Sequence, residues 1–335
     1  MSQLLFPWVY YNCRNRNELS LNKNRYYSLN SYFRNAFGEK VYKVSIAGGF
    51  TCPTRDGTKG TAGCAFCNPA GSEPRHYKPG MSVTEQLELA TNYVRERHET
   101  NHFLAYFQDY TTTYKDAKSL EKLYRQALDF PGIRGLALCT RPDCLDEDVL
   151  DLLEDISRET FVWVELGVQS GCDLTLVRMN RGHTVYDSEK AFEKLHTRNV
   201  RTAAHVILGY PGETAEEAMT TASLVNRSGT AGVKLQNLHV VKNTLLADQY
   251  NRGEFTLMER NEYAELAADF LERIRPDIVV QRVTGEAPPR MLVAPHWAIN
   301  KLAVMNRVRR ELMYRDSWQG KHLGYAMEEI PSVTD

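Results

Sequence analysis

No stretch of the 335-residue sequence approaches the ~18 consecutive apolar residues of a membrane span, so no membrane helix is expected. The opening segment, MSQLLFPWVYYNCRNRN, has no basic region ahead of its short apolar stretch, and no secretory leader is expected either. An excess of charge of one sign is also missing. Lys plus Arg number 41 and Asp plus Glu 42, so the net charge of −1 provides no global field to recruit polyanions. Stable capture of a whole tRNA or DNA duplex is disfavoured on that ground, while a local basic patch stays compatible with it. No glycine fingerprint of a dinucleotide-binding sheet follows any strand-like segment. Cysteines are few, odd in number at seven, and unevenly spaced. That pattern fits cytosolic thiols or metal ligands better than a disulfide framework, and a cytoplasmic protein is expected.

What is present is an alternation. Residues 41–47 (VYKVSIA), 102–108, 133–140, 160–169, 201–210 and 233–241 read as strands. Between and after them lie helical stretches: one from about Ser82, a good N-cap, then 119–130, 146–159, 172–199 with a break near Arg181-Gly182, one from about Ala215, and 261–275. Six strand–helix repeats with nearly continuous apolar strands predict an α/β fold, a parallel sheet covered by helices and closed into a complete or partial (β/α)6 TIM-like barrel. Residues 41–276 form that core; 1–40 and 277–335 are expected as N- and C-terminal extensions packed on it in the same globule. Chemistry on such a barrel sits on the loops after the strands.

The first of those loops reads GGFTCPTRDGTKGTAGCAFCN, with Cys52, Cys64 and Cys67 in a Cx11Cx2C arrangement. Three thiolates on one flexible loop suit a [4Fe–4S] cluster with one iron left without a protein ligand. Gly57, Gly60 and Gly63 let the backbone wrap closely around a bulky group. A structural zinc site also favours CxxC pairs but wants a fourth ligand, for which His76 is the nearest candidate.

This loop, with CTRPDCL (139–145), ELGVQS (165–170), NRGHT (180–184), HVILGYPGE (205–213), LHVVKNT (238–244) and VQRVTGEAPPR (280–290), resembles the radical SAM superfamily, in particular its YhcC-like branch. That branch is related to the elongator catalytic subunit and to oxygen-independent coproporphyrinogen oxidase. The resemblance implies that a cluster on Cys52, Cys64 and Cys67 binds the amino and carboxylate groups of S-adenosylmethionine. One electron then gives methionine and a 5′-deoxyadenosyl radical that takes a hydrogen atom from a substrate. An electron donor such as flavodoxin or ferredoxin is implied as a partner. The branch pattern also leads one to expect an acidic residue and an Asn where this chain has Ala47 and Thr54, beside the cluster loop.

Residue by residue, the resemblance places Gln108 and Tyr110 near the methionine amino group, and Glu165 and Gln169 near the ribose, where a carboxylate accepts from two hydroxyls. Ile207, Leu208 and Gly209, with His239, fall in the adenine pocket. Arg141, Arg178 and Arg181 have the planar fork that pairs with a carboxylate. A salt bridge from Asp143 to one of these arginines is the competing structural reading. Asp143 and His296, beside Trp297, are substrate-contact candidates. Cys139 reads as a buried strand residue, and Cys144 and Cys172 follow different strands on the active face. The aromatic residues Trp8, Tyr10, Tyr11, Tyr26 and Tyr27 are expected to pack on the barrel. A small-molecule substrate is the leading expectation, with a lyase acting on the 7-deazaguanine base queuine as the specific candidate among wider kin. The alternatives are modification of a nucleobase within RNA, which predicts a basic rim, and a non-catalytic zinc protein.

Overall fold

The computed structural model describes residues 24–68, 71, 73–74 and 76–332. Trp8, Tyr10, Tyr11 and Cys13 lie outside the described residues. The chain runs through helix α1 (Leu29–Phe37), strand β1 (Tyr42–Ile46), α2 (Val83–His98), β2 (Phe103–Phe107), α3 (Ala117–Leu128), β3 (Ile133–Thr140), α4 (Glu147–Glu159) and β4 (Phe161–Gln169). Then come α5 (Asp173–Arg178), α6 (Val185–Thr197), β5 (Arg201–Leu208), α7 (Ala215–Arg227), β6 (Gly232–Asn237), β7 (Val240–Val241), α8 (Leu245–Asn251), α9 (Arg260–Glu272), β8 (Val279–Arg282), β9 (Leu292–Ala294) and α10 (Lys301–Tyr314). Each anticipated strand–helix unit is present, and the break near Gly182 separates α5 from α6.

Local chemistry sets the helix starts. Ser82, Thr184 and Thr214 each close a capping box with the acidic side chain three residues on, Glu85, Asp187 and Glu217. Losing such a cap costs about 1 kcal/mol. The helices turn apolar faces inward, as with Val149, Leu150, Leu153 and Ile156 of α4.

Seven parallel strands form one curled sheet in the order β1-β2-β3-β4-β5-β6-β8, a partial TIM-like barrel. Besides the short helix α8, which the sequence reading does not anticipate, two details differ from the sequence expectation. The seventh strand comes from the segment beyond residue 276, too short at four residues to register as a repeat. The stretch 233–241 is two strands, because the chain leaves the sheet after Asn237 and Val240–Val241 pairs antiparallel with β9.

The strand period of two layers the barrel interior. At the floor, Leu104, Trp163, Ala203 and Val279 pack with Tyr27, Phe33 and Val41, so the N-terminal aromatics Tyr26 and Tyr27 are buried against the barrel. One step up each strand come Lys43, Tyr106, Cys139, Glu165, His205 and Lys234, joined by hydrogen bonds and ion pairs. At the mouth stand Gln108, Arg141, Gly167 and Gln169, next to the cysteine loop.

Candidate active site

The loop after β1 is anchored by Asp109, one residue past Gln108. Its buried carboxylate accepts the backbone N–H of Gly48 at 3.1 Å and of Phe50 at 3.2 Å. Burial raises the Asp109 pKa, and the two N–H bonds offset that only partly. Further along, Arg55 Nη2 donates to the carbonyls of Cys67 and Asn68, each at 2.8 Å. Gly63 has φ +73°, and a Cβ there would meet the Arg55 guanidinium at 2.8 Å, so a side chain would break this clamp.

The three thiols face different surroundings. Cys52 is buried 3.1 Å from the Thr54 hydroxyl. Burial works to raise its pKa, but the Thr111 and Thr54 hydroxyls and the Arg141 charge bring it below the ordinary value. Cys64 accepts from Arg181 Nη1 at 3.1 Å. Cys67 is pushed up by burial and then by its neighbour Cys64. No three of Cys52, Cys64, Cys67 and His76 bring their ligand atoms within 4.8 Å of one another. A single zinc ion, with Zn–S bonds of about 2.3 Å, would draw them closer than that.

Around this loop the mouth collects polar atoms without protein partners. Arg141 Nη1, Arg181 Nε and Gln169 Oε1 are all buried and unsatisfied. Buried polar groups are rarely left so, and together they fit a polar cofactor carrying both an amino and a carboxylate group.

The remaining candidates are placed as follows. Arg141 donates twice to Asp143, at 2.9 Å each, and Nη2 also reaches the Arg181 carbonyl at 2.5 Å. Lys59 Nζ joins Asp143 at 2.5 Å, so the carboxylate is already engaged by two cations. Burial opposes ionisation of Asp143, but the Arg141 bonds outweigh it and hold the pKa at about 2. Gln108 lies 3.3 Å from the Ser45 hydroxyl, and the Tyr110 ring covers Gly71 beside Arg55. Arg178 is exposed and bound to the Gly212 carbonyl at 2.8 Å. Ile207 packs with Leu176, Met179 and Leu238, and Leu208 points into the core between sheet and helices. Gly209, at φ +82°, abuts the Met258 sulfur. His239 Nδ1 sits 3.2 Å from the Asn237 carbonyl oxygen, with its pKa lowered by burial to about 4. His296 is exposed on the 3-10 turn His296–Ile299, and Trp297 stacks on Tyr263 at 5.7 Å.

Glu165 stands apart from the mouth. It is fully buried one layer down, held by Lys43, by His205 Nε2 at 2.6 Å and by Lys234 at 3.0 Å. Burial alone would raise its pKa, but Lys234 and Lys43 pull it well below the ordinary range.

Sequence pattern does not single out Asp109, Arg55 or His183. His183 is buried, and burial followed by the Arg181 and Arg141 charges depresses its pKa to about 2, so it is neutral. Its place in the NRGHT segment is the one available signal; Asp109 has none beyond its place after a strand.

Comparison with known proteins adds three findings. The radical SAM superfamily model matches residues 57–225 and the radical SAM C-terminal domain model residues 230–314. YtqA of Bacillus subtilis is 35% identical over 92% of this chain and 95% of its own length, and YhcC of Escherichia coli K12 is 36% identical over 86% and 92%. The solved structure of Elp3 from Methanocaldococcus infernus is similar in fold, with a TM-score of 0.65 at 18% identity, over 83% of this chain and 64% of that one.

Proposed function

Because this chain belongs to the radical SAM superfamily, whose members use a [4Fe–4S] cluster and S-adenosylmethionine, we propose that Cys52, Cys64 and Cys67 hold the cluster and that the enzyme acts on a small molecule bound inside the barrel. The observation that carries the reading is the set of unsatisfied polar atoms on Arg141, Arg181 and Gln169, gathered at the mouth beside the cysteine loop. When bound, the cofactor pair supplies one-electron cleavage of a carbon–sulfur bond and a 5′-deoxyadenosyl radical.

The chain's own residues position and shield. Arg181 donates to the Cys64 sulfur and so stabilises it as a thiolate ligand. Asp109 and Arg55 hold the two ends of the loop in place. Asp143, itself fixed by Lys59, orients Arg141 so that Nη1 faces the mouth with no protein acceptor. Phe66, packed with Ile207 and Leu238, keeps water from one side of the loop. Ile207, Gly209 and His239 are proposed for the adenine end, Gln108, Tyr110 and Gln169 for the amino-acid and ribose end.

The test is anaerobic reconstitution with iron and sulfide, followed by reductant and S-adenosylmethionine. Visible cluster absorption and 5′-deoxyadenosine are expected, and both are expected to disappear in Cys64→Ala with the fold retained. Stoichiometric zinc with no absorption would favour the zinc reading instead.

A further inference from the structure

Halfway between the aromatic floor and the mouth, the barrel interior holds more positive charge than it neutralises. Lys43 and Lys234 both pair with Glu165, the carboxylate at the centre of this layer. His205 also bonds Glu165, and burial lowers its pKa to about 3, so it adds no charge. A third cation comes from β8. Its register with β6 runs Gly232↔Val279, Val233↔Val280, then Lys234↔Arg282, so Gln281 is the extra residue of a bulge. Without the bulge, Gln281 and Arg282 would point to opposite faces. With it, Arg282 lies level with inward-facing Lys234, while Gln281 crosses to the opposite sheet edge and accepts from Lys43 at 2.7 Å. The Arg282 charge is felt at Tyr106, His205 and Lys234, all interior groups.

The Arg282 side chain makes no hydrogen bond or ion pair among the described residues, and its Nε is buried without an acceptor. The neighbouring Gln281 Nε2 is in the same position. The carboxylate that could have served them is fully used: Lys43 takes one oxygen of Glu165, His205 and Lys234 the other. Three cations against one anion leave a net charge of 3 − 1 = +2 in this layer. A guanidinium is a planar fork shaped for a carboxylate or phosphate; that of Arg282 is half-buried, with its Nε shielded from solvent and unpaired and the rest of the fork accessible, so an anion entering the barrel would meet a charge that no protein carboxylate balances.

We propose that Arg282, backed by Lys43 and Lys234, seats an oxyanion of the substrate, a carboxylate or a phosphate, one layer below the mouth. The reading deepens the small-molecule function above and rests on it only for what lies over the seat. The substrate enters anion first, its reactive carbon held toward the cysteine loop, and a cationic substrate is repelled.

The test uses the full chain and phenylglyoxal, which modifies accessible, unpaired arginines, with Arg282 followed by peptide mass spectrometry. Arg282 is expected to label in anion-free buffer. Inorganic phosphate or succinate, at about ten times its Kd, is expected to slow that labelling about tenfold by mass action, and whichever protects identifies the class. The thermal stabilisation by the same anion is expected to vanish in Arg282→Gln and to return in part in Arg282→Lys. The proposal is overturned if Arg282 resists labelling without anion, if neither anion protects it, or if S-adenosylmethionine alone protects it in the cluster-loaded protein, which would give the guanidinium to the cofactor. Failure of the radical reading shows separately, as absent cluster absorption and 5′-deoxyadenosine in the wild type, whatever the labelling result.

Discussion

One guanidinium ties the cysteine loop to the sheet: Arg181 donates from Nη1 to the Cys64 sulfur at 3.1 Å and from Nη2 to the Gly167 carbonyl at 2.7 Å. The first bond favours the thiolate and the second fixes where it stands. A hydrogen bond to a charged group is worth about 1.5–3 kcal/mol, so Arg181→Met is expected to release iron to a chelator roughly 10–100-fold faster than wild type. Arg181→Lys keeps the charge but cannot span both acceptors, and it should recover only part of the loss. Iron release at the wild-type rate in Arg181→Met would show that the bond has no role in holding the cluster.

Asp109 has a different part, acting on backbone rather than sulfur. Asp109→Ala would leave the N–H groups of Gly48 and Phe50 buried without acceptors, at about 1–3 kcal/mol each. Asp109→Asn keeps one acceptor oxygen and should cost less than half as much. The expected order of urea midpoints is wild type, then Asn, then Ala, with an unchanged slope. Equal midpoints for Asn and Ala would mean that the carboxylate's charge, rather than its acceptors, holds the turn.

These two residues show what is legible in the sequence. Strand–helix alternation is a local signal, set by side-chain period and by caps such as Ser82 with Glu85, and it places the repeating strands and helices of the core within a few residues, while the short α8 and the separate β7 carry no such signal. The cysteine loop is legible because its three thiols lie close together in sequence. Arg181 and Cys64, 117 positions apart, meet only because β4 and the β1 loop share one end of the barrel. Arg282 is less visible still. Its inward direction depends on a one-residue bulge, which alters register without altering composition. An acid in an apolar strand needs a partner, which is why the sequence directs Glu165 toward a ligand at the mouth; its partners in the structure are Lys43 and Lys234, which no sequence spacing connects to it.

Those partners make Glu165 a sharp test of the interior. Glu165→Gln conserves shape while leaving Lys43 and Lys234 without their counter-ion. Breaking a buried pair on one side costs about 3–5 kcal/mol, and that loss is expected in chemical denaturation. Lys234, already lowered by burial to about 8, would lose the charge that opposes this shift and become neutral near physiological pH. The double variant Glu165→Gln with Lys234→Met is expected to be more stable than Glu165→Gln alone. If it is less stable, the lysine contributes packing rather than an unbalanced charge.

Glu213, which closes the HVILGYPGE segment, carries a pH dependence of the opposite sign to most carboxylates. Burial lifts its pKa from 4.5 to about 7, against the Ser170 bond at 2.5 Å; Glu217 adds to the rise and Arg178 opposes it. Below pH 4.5 the group is protonated in both folded and unfolded chains and costs nothing. Between 4.5 and about 7 the folded chain binds the extra proton, so stability falls as pH rises across that window. Above about 7 the carboxylate is ionised in both states, and the full penalty stays. A tenfold difference in proton affinity between folded and unfolded chains corresponds to about 1.4 kcal/mol, and because the side chain is partly exposed the penalty is discounted to roughly 1–3 kcal/mol. Glu213→Gln keeps an acceptor for Ser170 and cannot ionise. It should therefore match wild type near the acid end of the window and exceed it above the folded pKa by that amount, read as the difference in urea midpoints. A difference that is the same at both ends would mean that Glu213 does not titrate in this range, and that the Ser170 bond alone defines its role.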